Sequence, residues 1–250
     1  MLFVSHESGE KLVLKAGVPS HELSSEIEAL KVYAGEGAVK LLDADPQRGL
    51  LLLERLQPGN MLLEERDDEK ATALAIDVMR KLWKKTPEQH SFRSVRDWGK
   101  GFDRLRRTFE GGSGPFPEVL VSRAEGLFTE LCDSMQPDVV LHGDLHHWNI
   151  MKHGEEWLAI DPKGILGEPA YEIGAWMRNP YTEIPKIPDL KKFQKRRMEQ
   201  FAAELGFDRR RLRDWSFAQE MLSVWWSYED KTGGIQEGIN QARILSEIEW

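Results

Sequence analysis

Cysteine is almost missing: Cys132 stands alone in 250 residues, so neither a disulfide framework nor a cysteine-rich zinc site is open to this chain. No apolar run approaches the ~18 residues of a membrane-spanning helix. The start, Met1-Leu2-Phe3-Val4-Ser5-His6-Glu7, has no basic segment leading into an apolar one, so no signal peptide is read there. Basic charge is in deficit too. Lys and Arg number 34 against 42 Asp and Glu, a net charge of −8. A chain with a pI near 5.5 lacks the field that draws proteins to phosphate backbones. Internal repeats and low-complexity tracts are absent. These absences predict a cytoplasmic protein with no nucleic-acid and no membrane partner, as a monomer or a homodimer. What is present is a composition 40% hydrophobic and 30% charged. That supplies a sizeable core, in one domain or in two small lobes sharing a cleft.

Residues 2–6 and 11–15 are short apolar runs flanking Glu7-Ser8-Gly9-Glu10, which predicts a hairpin. A helix is expected after Pro19-Ser20, where Leu23, Ile27, Leu30 and Ala34 recur at i, i+4, i+7 and i+11 and Gly35 ends the pattern. Two further strands are expected at 38–42 and 49–54, joined by a turn through Asp45-Pro46 and Gly49. Gln57-Pro58-Gly59-Asn60 then breaks the pattern and sets the expected boundary: a β-rich lobe at 1–56 and a helical lobe at 57–250. Within the second part helices are predicted at 66–85, 93–110 and about 117–135. Strands follow at 138–141, 149–152 and 156–160, and helices return from about 168, interrupted near Asn179-Pro180 and Gly206.

The segment richest in chemistry is Val139-Val140-Leu141-His142-Gly143-Asp144-Leu145-His146-His147-Trp148-Asn149-Ile150, an apolar strand, a polar loop and an apolar strand. Asp144 and Asn149 stand five positions apart across the loop. Trp157-Leu158-Ala159-Ile160 forms another apolar strand and ends in Asp161-Pro162-Lys163-Gly164. If the two strands after the loop pair as a hairpin, Asp161 returns beside Asn149 and Asp144. Two carboxylates and an amide oxygen are hard donors suited to Mg²⁺, which takes a few carboxylates together with water and phosphate oxygens. Phosphoryl transfer also needs a lysine for the nucleotide phosphates. Lys15 ends the apolar strand Leu12-Val13-Leu14, and Glu22, Glu26 and Glu28 on the next helix are its possible partners. A zinc reading of His142, His146 and His147 is disfavoured, because the His-Glu-x-x-His helix spacing is missing.

His142-Gly143-Asp144-Leu145-His146-His147-Trp148-Asn149 resembles the H-G-D-x-x-x-x-N catalytic loop of the aminoglycoside phosphotransferase-like kinases. Ile160-Asp161-Pro162-Lys163-Gly164, Gly167-Glu168-Pro169-Ala170-Tyr171-Glu172, Arg178-Asn179-Pro180 and Leu52-Leu53-Glu54-Arg55-Leu56 resemble its streptomycin 6-kinase and hydroxyurea kinase branch. The resemblance runs from about Lys11 to Asp230. It implies an α+β, bilobal protein-kinase-like fold with a small β-rich N-lobe and a mostly helical C-lobe. It also implies an ATP- and Mg²⁺-dependent transfer of the γ-phosphoryl group to a small-molecule acceptor, an aminoglycoside of the streptomycin type or hydroxyurea. By position, Asp144 matches the catalytic base, Asn149 and Asp161 the Mg²⁺ ligands, and Lys15 the phosphate-binding lysine. Glu26 is its chosen ion-pair partner, with Glu22 one helical turn away as the other possibility. Glu54, Arg55 and Leu56 match the hinge that meets adenine.

One departure is visible. Fourteen residues precede Lys15, and Ser8-Gly9 is the sole glycine-bearing turn there, so the N-lobe is shorter than the family pattern by at least one strand and a phosphate-covering loop. The alternative reading is therefore a nucleotide-binding pseudokinase with little or no turnover. For the acceptor, His147, Trp148, Trp176 and Trp226 are candidate walls, and Glu220, Glu229 and Asp230 candidate anions for a cationic group. The basic run Lys191–Arg197 is read as a solvated helix face.

Overall fold

Short apolar strands punctuated by Gly and Pro occupy the beginning and the middle of the chain, and longer amphipathic runs the rest. The computed structural model, which describes residues 1–135 and 138–250, turns this into β1 (Leu2–Ser5), β2 (Lys11–Ala16), α1 (His21–Tyr33), β3 (Leu41–Asp45), β4 (Leu50–Glu54), β5 (Pro58–Met61), α2 (Asp68–Leu82), β6 (Lys84–Lys85), β7 (Arg93–Ser94), α3 (Val95–Thr108), α4 (Glu118–Asp133), β8 (Val139–Leu141), β9 (Ile150–His153), β10 (Glu156–Ala159), β11 (Ile165–Gly167), α5 (Pro169–Met177), α6 (Leu190–Leu205), α7 (Arg209–Glu229) and α8 (Ile235–Ser246). Among the described residues no helix is long and apolar enough to cross a membrane.

Two compact units emerge, each assembled from two stretches of chain: residues 1–93 with 138–167, and residues 94–137 with 168–250. The expected boundary at 56/57 falls inside the first unit. The reason is strand pairing. The Pro58-Gly59 segment, read as a break, forms β5 at the edge of a sheet ordered β10-β9-β5, and Met61 pairs with Met151. Proline is tolerated at such an edge, where no ladder donor is needed.

Unit 1 also holds an antiparallel sheet ordered β1-β2-β4-β3. Lys15 faces Leu51 and Leu14 faces Leu52 in its register. Leu12, Leu51 and Leu53 are buried, the alternation a half-covered sheet requires. The strand expected at 38–42 lies at 41–45 instead. Asp43 and Asp45 are accommodated because β3 is an edge strand, where charged side chains reach water. Ser20 caps α1, its hydroxyl accepting the Leu23 N–H. The helix ends as Ala34 turns left-handed, with φ 51°. Leu23, Ile27 and Leu30 are buried, as their spacing predicts, and Glu26 is buried with them. In a third sheet, β8 lies between β6 and β11.

Unit 2 is built on α7, 21 residues long, which packs against α4, α5 and α8. Its core is aromatic: the Trp215 ring stands edge-on to Tyr171 at 5.1 Å and to Phe128 at 5.2 Å. The run Lys191–Arg197 lies on α6 as expected, with one correction. Arg197 is fully buried, because its guanidinium donates to the carbonyls of Trp176 and Asn179 and so meets the hydrogen-bonding cost of burial.

Candidate active site

In unit 1 the loop after β8 runs from one sheet to another, between the buried ends Leu141 and Ile150. His142 ties it down. Its Nδ1 accepts the Asp144 backbone N–H at 3.2 Å, which leaves Nε2 to donate to the Ile160 carbonyl at 2.8 Å. The imidazole is completely buried, and burial pushes its pKa down to about 4, so it stays neutral. Gly143 sits between the two anchored residues at φ 84°, in the left-handed region that favours glycine.

Asn149 closes the loop: its Nδ2 donates to the Asp144 carbonyl at 3.0 Å. The Ile160 N–H donates to the Asn149 carbonyl at 2.9 Å. This continues the β9–β10 pairing, in which Ala159 faces Ile150, so the strands pair as the expected hairpin and Asp161 follows directly on the residue bonded to Asn149. Asp161 itself has φ 57°. A left-handed conformation at a residue other than glycine costs energy, on the order of 1–3 kcal/mol, and is found where surrounding structure imposes it. Here the chain must turn back at once so that the Lys163 N–H can reach the His142 carbonyl at 2.7 Å.

Opposite charges converge on this frame. Lys15 Nζ lies 2.6 Å from Glu26 Oε1 and 3.0 Å from Asp161 Oδ1. Burial alone would lower the Lys15 pKa, but the two carboxylates outweigh it and hold the ammonium above its usual value. Burial raises the Glu26 carboxyl, opposed by Lys15. Lys163 forms a second pair with Glu22. Of the two carboxylates weighed for Lys15, one turn apart on α1, the structure pairs Glu26 with Lys15 and gives Glu22 to Lys163, a contact that sequence reasoning missed. The i, i+4 spacing of two glutamates beside two lysine-bearing segments was the available signal. His146 Nε2 approaches Asp144 Oδ2 at 3.6 Å, with its ring edge-on to Trp148. His147 is buried. Among the described residues no three His, Cys, Asp or Glu side chains are grouped to hold a metal ion. At the end of β4, Glu54 accepts the Lys40 N–H, the Arg55 guanidinium lies 4.2 Å from the centre of the Phe3 ring, and Leu56 is buried.

The candidate acceptor residues in unit 2 divide. Trp176 is fully buried beneath the Arg197 guanidinium, so it offers no face to a ligand, which corrects the expectation of a wall there. Glu229 is likewise engaged: Arg104 grips it with two bonds of 3.0 and 2.9 Å, which removes it as a spare anion. Asp230 is exposed at the end of α7, and Trp226 is half-buried, edge-on to Trp98. Glu220 is different. It is 5% exposed, its Oε2 receives no hydrogen bond, and burial raises its pKa to about 7 against the pull of Arg178. It lines a cavity of about 650 Å³ with Arg178, Tyr181, Ser223, Glu237 and Gly238. Gly238 is required beside it, since a Cβ there would stand 3.1 Å from Glu220 Oε1 and 2.5 Å from Val224 Cγ2.

The structure superposes on a thermostable mutant of aminoglycoside phosphotransferase APH(4)-Ia in ternary complex with ADP and hygromycin B. The TM-score is 0.67 at 14% identity, covering 98% of this chain and 92% of that one. With a small β-rich N-terminal part and a mostly helical C-terminal part, the fold is that of the protein-kinase-like phosphotransferases that act on small molecules. The chain belongs to the aminoglycoside/hydroxyurea antibiotic resistance kinase family, which it matches over residues 1–231, and the family is ATP-dependent. It is 28% identical to streptomycin 6-kinase of Streptomyces glaucescens, over 94% of this chain and 76% of that protein. It is 30% identical to hydroxyurea phosphotransferase of Kitasatospora aureofaciens, over 92% and 66%.

Proposed function

We propose that the chain moves the γ-phosphoryl group of Mg²⁺-bound ATP to a hydroxyl of a streptomycin-type aminoglycoside or of hydroxyurea, with Asp144 as the base. The observation that carries this reading is the bridging position of Lys15. One ammonium joins the helix carboxylate Glu26 to the strand-end carboxylate Asp161, beside a loop that fixes Asp144 and Asn149.

The donor chemistry fits Mg²⁺. Asn149 commits its amide nitrogen to the Asp144 carbonyl, which leaves its oxygen as a donor. Asp161 binds Lys15 through Oδ1, which leaves Oδ2. An amide oxygen and a carboxylate, without thiolate or imidazole, match a cation that completes its shell with water and phosphate oxygens. When bound, the ion screens the negative charge on the phosphates. Lys15 holds the α- and β-phosphates, and Glu26 keeps its ammonium in place. Asp144 accepts the acceptor's hydroxyl proton as the new O–P bond forms and the bond from Pγ to the β,γ-bridging oxygen breaks, releasing ADP. Asn149 and His142 hold the Asp144 backbone during this step. The backbone of Glu54 to Leu56 meets adenine. Within unit 2, Glu220 is a candidate contact for a cationic group, which would draw off the proton that burial favours. Trp148 and His147, on the same loop as Asp144, are further candidates on the acceptor side.

The test is ADP release, measured with Mg-ATP against streptomycin, other amino sugars and hydroxyurea. Acceptor-dependent release is expected with at least one of them. Asp144→Ala is expected to abolish it, a loss of about 10²–10⁴ for a removed general base, while ADP binding stays near the wild-type value. Undiminished turnover in Asp144→Ala would sink the assignment.

A further inference from the structure

We infer that Lys163 is a second phosphate-binding cation, one that acts on the transferring γ-phosphoryl group while Lys15 serves the α- and β-phosphates; this rests on the phosphotransferase reading above. The two lysine pairs of unit 1 are built differently. Lys15 and Glu26 keep only 19% and 9% of their side-chain surface in water, whereas Lys163 and Glu22 keep 39% and 65%. An ion pair open to solvent is a weak one. Glu22 therefore holds Lys163 in readiness without binding it firmly, and a phosphate oxygen, a charge-assisted acceptor, competes well for its ammonium.

The backbone under Lys163 is rigid. Its N–H is bonded to the His142 carbonyl, Pro162 before it and Gly164 after it are buried, and a Cβ on Gly164 would stand 2.6 Å from the Ser25 carbonyl oxygen. Only the side chain is free to swing. Its direction of action is set by position. Lys163 follows Asp161 by two residues, its N–H is bonded to the carbonyl of His142, two residues before the proposed base, and its partner Glu22 stands one helical turn from the Glu26 that holds Lys15. Its backbone is thus anchored to the loop that carries Asp144, the end of the site where the phosphoryl group meets its acceptor. There is also a need for it. The cluster sets four carboxylates, Glu22, Glu26, Asp144 and Asp161, against two ammonium groups, and a triphosphate brings further negative charge. A preorganised cation at the transferred group is worth most where charge is being redistributed.

The experiment compares Mg-ADP with Mg-AMP-PNP by calorimetry, because only the second carries a γ-phosphoryl group. Lys163→Ala is expected to weaken AMP-PNP by about tenfold or more, the size of one charge-assisted hydrogen bond, and to leave ADP within about twofold. In turnover it lowers kcat by about 10², and Lys163→Arg restores part of that loss. An Ala variant with the wild-type preference for AMP-PNP over ADP overturns the inference and leaves the wider reading intact. A wild-type chain that binds neither nucleotide overturns both.

Discussion

Lys15 and Asp161 are 146 positions apart in the chain and 3.0 Å apart in space, joined by a single hydrogen bond from Nζ to Oδ1. The same ammonium satisfies buried Glu26, so its removal has two separable effects. Lys15→Met leaves Glu26 buried without its cation and lowers stability by about 3 kcal/mol, the usual cost of breaking such a pair. It also raises KM for ATP by about tenfold or more, for the loss of a charge-assisted phosphate contact. The double variant Lys15→Met/Glu26→Gln removes the stranded charge. It is expected to regain most of the stability in urea melts while KM stays high. A double variant no more stable than Lys15→Met would show that Glu26 is not the burdened partner.

His142 gives a pH signature. Its folded-state pKa is depressed to about 4, so between pH 6.5 and 4 the unfolded chain takes up a proton that the native imidazole refuses. The stability this group contributes is complete above pH 6.5. It is lost as pH falls through about 4, on the order of 3 kcal/mol in all. The imidazole proton resonances should titrate near pH 4. A His142→Asn variant, less stable at pH 7, should show a flatter decline over the same window. A midpoint near 6.5 would contradict the burial argument.

Glu220 behaves in the opposite sense. Burial lifts its pKa to about 7, so the native state holds a proton that the unfolded state releases from about pH 4.5 upward. Its contribution is full below pH 4.5 and disappears as pH rises through about 7, again on the order of 3 kcal/mol. Glu220→Gln cannot ionise. Chemical denaturation at pH 5 and pH 8 should show the variant gaining on the wild type at the higher pH. Parallel curves would mean that Glu220 ionises without penalty.

Gly164 is a further point of sensitivity. It combines φ 63° with a site where a Cβ would stand 2.6 Å from the Ser25 carbonyl oxygen. Gly164→Ala therefore adds backbone strain to overpacking, for a loss of about 2–4 kcal/mol. Because the change also shifts Lys163, kcat should fall even in the fraction that remains folded at low temperature. A variant that melts within a degree of the wild type would refute the close approach of α1.

Much of the frame of the candidate site was legible in the sequence. Leu141 and Ile150 bound a polar loop with apolar runs, and Trp157–Ile160 must pair back on the strand after it, so Ile160 had to return to Asn149. The less legible parts depend on contacts remote in sequence. Trp176 reads like an available ring until Arg197 covers it, and Glu229 looks spare until Arg104, 125 residues away, closes on it. The choice between Glu22 and Glu26 is one helical turn, about 5.4 Å, finer than a periodicity argument resolves. The Pro58-Gly59 segment pairs as a strand because an edge position tolerates its composition, and composition does not announce edges.

The positions of Glu22 and Glu26 on α1 tie the fate of two distant segments to one rod. Lys15 arrives from an early strand and Lys163 from the turn after β10, yet both are moored to successive rungs of a single helix. A tilt or slide of that rod slackens both moorings together. Whatever presses on α1 therefore acts on both ion pairs as a unit, not on one lysine at a time.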